Sequence, residues 1–236
     1  MANIITKNIP NTLTSCNLLS GCIATYNAFL GLYETAFLFI IIGALFDFFD
    51  GMSARLLGVS SPIGKELDSL ADDVTFGVAP SAMIFTLLST ADYPSVLSPV
   101  SGIIPYVAFI MAAFSALRLA KFNLDERQSS SFIGIPTPAN TLFWASLIVG
   151  VGDNLVCSPY ATAGIIAMVF VSSWLLIAEI PMFALKFKTW GWHGNEIKYV
   201  FLAGCLPLLL LLGVSGFAAV IAWYLVLSVV TNKQKA

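Results

Sequence analysis

Six of the thirteen acidic residues fall between positions 47 and 73, in the stretch FDFFDGMSARLLGVSSPIGKELDSLADD. Asp47 and Asp50 are three residues apart, so on a helix they share a face. Asp68 and Asp72, four apart, share a face of the following helix. Four unpaired carboxylates this close repel one another and are costly at membrane depth. Divalent cations remove that cost. Oxygen donors without nearby His or Cys suit Mg²⁺ or Mn²⁺ and argue against zinc. Four carboxylates suffice to bridge two ions, an arrangement that clamps the attacking and leaving oxygens of a phosphoryl displacement. Asp47, Gly51 and Ala54 lie along one helical stripe, where small residues let a ligand approach the backbone. Arg55 is a fixed cation suited to forked contact with phosphate, and Ser61 has a hydroxyl to donate. Asp73 lies on a different face from Asp68 and Asp72, and is expected to be a solvated or capping carboxylate.

These side chains must be held by two helices joined by a reversal. Leu57 to Glu66, with Gly58, Pro62 and Gly64, supplies it. The helices themselves belong to a membrane. The 236 residues are 58% hydrophobic and 10% charged, against about 25% charged in an ordinary soluble domain. A water-soluble fold of this size has too much surface to hide so much apolar material. Lipid-exposed backbone leaves only helices or closed barrels, and continuous apolar runs select helices. The runs fall at about 14–31, 35–57, 67–89, 98–121, 136–152, 160–185, 197–212 and 215–231. An all-α polytopic membrane protein with eight transmembrane helices is therefore expected, and six spans is the main alternative. The last two runs could instead form one broken hairpin around Gly213–Gly216.

Charge orients the bundle. With eight spans, all eleven Lys and Arg residues, from Lys7 and Arg55 to Lys233 and Lys235, fall at one face. The opposite face receives Glu34, Asp92 and Asp153. The positive-inside rule makes the first face cytoplasmic, so both ends and the carboxylate site are expected on that side. Trp190 and Trp192 read as interfacial anchors in a loop that also carries Lys186 and Lys188. Cys16, Cys22, Cys157 and Cys205 have no metal or disulfide spacing and read as small fillers within helices. His193, the single histidine, reads as an incidental loop residue. The N-terminal stretch is too polar for a signal-peptide core. No basic tract suggests nucleic acid. A single catalytic domain over residues 1–236 is expected, with no repeat or linker dividing it.

The spacing Asp47-x2-Asp50-Gly51-x2-Ala54-Arg55-x8-Gly64-x3-Asp68-x3-Asp72 resembles the signature of the CDP-alcohol phosphatidyltransferase family at every fixed position. The surrounding stretches IPNTLTSCNLLSG, GKELDSLADDVTFGVAPS, ALRLAKFN and FIGIPTPAN are similar to its phosphatidylserine synthase branch. The resemblance implies that Asp47, Asp50 and Asp68 ligate one divalent ion, and Asp47, Asp68 and Asp72 a second. It implies Gly51, Arg55 and Ser61 as contacts of the CDP portion, with Ala54 beside them and Asn11, Thr14 and Asn17 near the nucleotide. Asp72 matches the general base. CDP-diacylglycerol and L-serine are the implied substrates, CMP a product, and a homodimer the implied assembly. Arg118, Lys121, Asn123 and Thr137 are candidates for the acceptor serine, with headgroup anchoring as the alternative for the cations. Other acceptors, glycerol phosphate or inositol phosphate, and a divalent-cation or proton transporter stay open at this point.

Overall fold

The computed structural model describes residues 4–59, 61–125, 132–183 and 191–233. The described residues form a helical bundle. Helix α1 runs over Ile4–Phe29, α2 over Tyr33–Leu57 and α3 over Pro62–Asp72. A π-helical turn, Asp73–Val78, carries α3 without a break into α4, Ala79–Ser89. There follow α5 (Phe109–Leu124), α6 (Thr137–Val151), α7 (Pro159–Ile177), α8 (Glu196–Leu212) and α9 (Gly216–Lys233). Among the described residues the one strand pair is minimal: β1 (Phe132–Ile133) lies antiparallel to β2 (Pro181–Met182). Five runs, Tyr33–Leu57, Pro62–Ser89, Ile104–Leu124, Pro159–Ile177 and Glu196–Thr231, are long and apolar enough to cross a membrane.

Two boundaries differ from the sequence expectation. α1 begins at Ile4 rather than near position 14, because its first half is polar on the side that meets the carboxylates. The reversal after α2 is shorter than ten residues. α2 closes on Gly58 at φ 61°, and α3 starts at Pro62 with Ser61 as its N-cap, the Ser61 hydroxyl oxygen accepting from the Gly64 N–H at 2.9 Å. Pro at the first helical position has no N–H to leave unsatisfied.

The last apolar run is a hairpin. Gly213, at φ 56° and ψ −127°, interrupts the helix, and Phe201 and Tyr224 then meet at a ring-centroid distance of 5.7 Å. Twenty-odd residues of uninterrupted helix would hold those rings about 34 Å apart. α8 and α9 are thus two rods lying side by side.

α4 is the axis of the bundle. Ala79, Ala82, Met83, Ile84, Leu87 and Leu88 are completely buried, and Met111, Trp144 and Ile148 from α5 and α6 close around them. A helix apolar all round belongs in such a position. By contrast Leu206, Leu210 and Leu211 on α8 are 65–81% exposed, as a lipid-facing rod requires. Glu34, Asp92 and Asp153 gather in one cleft with Gly31 and Gly152. That places the three acidic residues at the end of the bundle away from Lys65, whose Nζ donates to the Asn123 carbonyl at 2.9 Å.

Among the cysteines the expectation needs correction. All four are free, but Cys22 and Cys157 are exposed and Cys157 lies in a bend between helices. Trp192 is 60% exposed and stacks on Tyr199 at 5.5 Å. Arg127, Lys186, Lys188, Trp190 and Lys235 lie outside the described residues, as do the side chains of Lys7 and Lys233.

The π turn is seated by two glycines. A Cβ on Gly21 would strike the Thr75 hydroxyl and stand 2.8 Å from Thr75 Cα, and one on Gly43 would stand 2.7 Å from Thr75 Cγ2. Only hydrogen at those two positions lets α1 and α2 close on the turn. Gly21→Ala is expected to cost about 1–3 kcal/mol through overpacking, because the obstacle includes backbone. A lower apparent melting temperature in detergent micelles is the expected reading, and an unchanged one would contradict the close approach.

Candidate active site

Three helices contribute the acidic cluster and its supports. Asp47 and Asp50 project from the C-terminal part of α2, and Asp68 from α3. One carboxylate oxygen of each lies within 4.8 Å of those of the other two. Asp72 stands outside that trio, one turn further along α3, but its carboxyl meets that of Asp47. The two helices thus bring Asp47, Asp50 and Asp68 together, with Asp72 beside them.

α1 supplies the polar scaffolding. Thr14 is buried and donates its hydroxyl to Asp50 Oδ2 at 2.6 Å. Asn17 is completely buried, and its Nδ2 donates to Asp72 Oδ1 at 3.0 Å. Thr75 in the π turn in turn donates to Asn17 Oδ1 at 2.8 Å, so the amide can present only its nitrogen to Asp72. One carboxylate is thus aimed through a chain that crosses from α3 to α1 and back. Thr75 was not singled out in the sequence; a Thr in an otherwise apolar run, three residues past Asp72, is the signal that marks it.

The donor set fits a hard divalent cation. All candidate ligands are carboxylate oxygens on rigid helices. Asp68 Oδ1 is buried and has no hydrogen-bond partner among the described residues. A buried anionic oxygen left unpaired is costly unless a cation or water meets it. No protein cation pairs with the cluster among the described residues.

Beside the acidic trio lies a cleft of about 200 Å³ lined by Pro10, Asn11, Thr14, Asp50, Gly51, Ala54, Val59, Ser61, Gly64, Lys65 and Asp68. Of the residues expected to contact the nucleotide, Asn11, Thr14, Gly51, Ala54 and Ser61 come together there. Asn17 does not line it; its place is behind Asp72. Arg55 is exposed at the rim, with Nη1 3.8 Å from where a Gly51 Cβ would be. The Ser61 hydroxyl accepts from Gly64 N–H and keeps its own proton to donate. Lys65, absent from the expected set, adds a cation to the cleft wall.

The profile of the CDP-alcohol phosphatidyltransferases matches residues 7–174. The chain belongs to the CDP-alcohol phosphatidyltransferase family. The matched region contains every residue of the acidic cluster and of the cleft. Curated relatives are similar over most of their length. The CDP-diacylglycerol–serine O-phosphatidyltransferase of Bacillus subtilis (strain 168) is 41% identical over 188 residues, covering 80% of this chain and 94% of the relative. Relatives of the same name from Helicobacter pylori (strain ATCC 700392 / 26695) and Methanocaldococcus jannaschii are 27% and 30% identical, covering 96% and 81% of this chain. They are covered to 96% and 94% of their own lengths.

The four residues expected to meet the acceptor alcohol separate in the CDP-alcohol phosphatidyltransferase fold. Arg118 is 6% exposed, with Nε donating to the Ile135 carbonyl at 2.7 Å. Thr137 is buried at the start of α6. Lys121 is exposed on the rim of a groove that Arg118 also lines. Asn123 spends its amide on Ser69 Oγ at 2.7 Å and its carbonyl on Lys65, so it braces α5 against α3. Asp73 departs from the sequence expectation in part: it is half-buried and follows the last residue of α3, but its Oδ1 is buried and turned toward Ser115 of α5.

Proposed function

We propose that this enzyme transfers the phosphatidyl group of CDP-diacylglycerol to the hydroxyl of L-serine, giving phosphatidylserine and CMP. The observation that carries this reading is the meeting of Asp47, Asp50 and Asp68 within 4.8 Å beside a cleft built of Gly51, Ala54 and Ser61. The names of the relatives support serine as the acceptor.

Asp47, Asp50, Asp68 and Asp72 would hold two divalent ions, Mg²⁺ or Mn²⁺. When bound, such ions neutralise a pyrophosphate and the charge that develops on the leaving oxygen. The protein supplies the rest. Asn11, Thr14, Gly51, Ala54 and Ser61 seat the CDP portion, with Arg55 at its rim. Arg118 and Thr137 receive the acceptor, and Lys121 stands where the acceptor passes inward. The serine hydroxyl forms the new O–P bond, the P–O bond to CMP breaks, and its electron pair leaves on the CMP oxygen. Asp72 takes the hydroxyl proton as that bond forms. Asn17 fixes Asp72 Oδ1, so the second oxygen receives the proton. A hydroxyl is a weak nucleophile at neutral pH, and positioning within a water-poor site supplies much of the rate.

The helical rods α1, α2, α3–α4 and α5 to α9 are proposed as eight spans of one catalytic domain in the inner membrane. The carboxylates and both chain ends lie on the cytoplasmic side. A homodimer is proposed on the family resemblance.

The test uses purified protein, CDP-diacylglycerol, Mn²⁺ and labelled serine. CMP release that depends on serine, stops with EDTA and returns with excess Mn²⁺ is the expected result. Release only with another alcohol would change the acceptor. No release with any alcohol would leave the cation-transport reading.

A further inference from the structure

Five of the seven buried polar side-chain atoms without a hydrogen-bond partner, among the described residues, belong to one neighbourhood. They are Asp73 Oδ1, Ser115 Oγ, Arg118 Nη2, Thr137 Oγ1 and Asn140 Oδ1. Ser115 is 0% exposed, Thr137 and Asn140 1%, and Arg118 6%. Isolated lapses of this kind are rare in folded proteins, and five from the π turn, α5 and α6 together mark a place that awaits a polar guest.

Contacts on either side fix where they converge. Asp73 Oδ1 and Ser115 Oγ lie 2.7 and 2.8 Å from the position a Cβ would take on Gly77, so the two side chains meet at one place, over the bare face of that glycine. α5 runs antiparallel to α3, with Ser115 level with Gly77 and Asn123 bonded to Ser69. Arg118 therefore stands about level with Asp73. Its Nε reaches the Ile135 carbonyl, two residues before Thr137. Thr141, one turn along α6 from Thr137, donates to the Phe76 carbonyl of the π turn. Thr137 and Asn140 consequently flank the same turn that carries Asp73. Asp72, next in the chain, is rotated from Asp73 by about 100° of helix and joins the acidic cluster.

We propose that this space is the acceptor subsite and that it is built for a zwitterion. Arg118 Nη2 and the Thr137 hydroxyl receive the carboxylate, at the N-terminal end of α6 where the helix dipole favours an anion. Asp73 Oδ1, Ser115 Oγ and Asn140 Oδ1 receive the ammonium as three acceptors. The hydroxyl then points along α3 toward Asp72. The inference deepens the serine reading and rests on it. It adds Asp73, Ser115 and Asn140 as specificity-determining residues, and it explains the acceptor class. One cation and one fixed anion match an α-amino acid, whereas a phosphorylated alcohol would meet Asp73 as a like charge. The groove of about 390 Å³ that Arg118 lines with Lys121 and Ile133 gives access from outside the bundle.

Three acceptors separate the two halves of the subsite. Serine has both charged groups, ethanolamine lacks the carboxylate, and 3-hydroxypropionate lacks the ammonium. Asp73→Asn is expected to raise the serine KM at least about tenfold, to weaken ethanolamine use similarly, and to leave 3-hydroxypropionate use within about twofold of wild type. Ser115→Ala, a milder change, is expected to shift the serine KM in the same direction by about threefold. The KM for CDP-diacylglycerol and the Mn²⁺ dependence should not move in either variant. Unchanged serine KM, or equal shifts in the KM of both substrates, would overturn the subsite and mark these residues as structural.

A readout independent of turnover separates this idea from the functional reading. Serine should raise the melting temperature of the CMP- and Mn²⁺-loaded wild type but not of Asp73→Asn. If wild type turns over no serine yet is stabilised by it in this way, the subsite stands and the reaction assignment falls. If serine stabilises neither protein, the subsite falls.

Discussion

Asp68→Asn is expected to abolish phosphatidyl transfer while leaving the protein folded. Asp68 is the α3 member of the converging carboxylate trio, and the family resemblance assigns it to both proposed ions. Its Oδ1 makes no hydrogen bond within the described residues, so the fold does not depend on it. Losing the charge there removes transition-state stabilisation of several kcal/mol. About 4 kcal/mol corresponds to roughly 10³-fold in rate. The measurement is serine-dependent CMP release at saturating Mn²⁺, paired with melting temperatures in Mn²⁺ and in EDTA. Without metal the variant should be as stable as wild type or more so, since one of several repelling charges has gone. With metal it should lose the stabilisation that bound ions give the native state. Near-normal turnover at saturating metal would contradict the bridging role.

Asp72→Asn is expected to act on a different quantity. The amide keeps the shape and can still accept from Asn17 Nδ2, so the chain from Thr75 through Asn17 survives. What it cannot do is take a proton. General-base loss lowers turnover by about 10²–10⁴-fold, and the KM for CDP-diacylglycerol should stay within a few-fold of wild type. CMP-induced thermal stabilisation provides the control for nucleotide binding. A defect confined to CDP-diacylglycerol affinity, with kcat intact, would remove Asp72 as the base and leave it a ligand only. The Asp68 variant thus tests metal holding, and the Asp72 variant tests proton transfer at a residue that also shares in the proposed metal site, one helical turn away.

Both results depend on α1, which has no acidic residue within it. Thr14 and Asn17 each hand one hydrogen bond to a carboxylate, and Gly21, one turn on, lets the helix come close enough to do so. In a low-dielectric interior such bonds fix orientation as well as energy. The π turn is part of the same device. It places Thr75 against Gly21 and Gly43 while turning Asp73 away from Asp72, toward α5. π turns of this kind within α-helices recur at functional sites.

What the residues alone determined is the part governed by short-range spacing. Asp47 with Asp50, and Asp68 with Asp72, share faces because helical periodicity requires it. The long apolar runs demand helices in lipid because a bilayer offers no other partner for backbone N–H and C=O groups. Family membership follows from eight fixed positions lying in one local stretch. Tertiary structure alone decided everything that joins distant segments. Asn17 sits 55 residues from the carboxylate it orients, and no local pattern distinguishes that role from helix capping. Asp73 reads as a surface charge in sequence because helical phase puts it off the acidic face. One of its oxygens is nonetheless buried, because Ser115 of α5 packs against that other face. Lys121 and Asn123 read alike in sequence as acceptor contacts beside Arg118, and only packing puts Lys121 on a groove rim and bonds Asn123 to Ser69 and Lys65 of α3. The physical reason is the same in each case: periodicity fixes which side of a helix a residue occupies, and only packing fixes what that side meets.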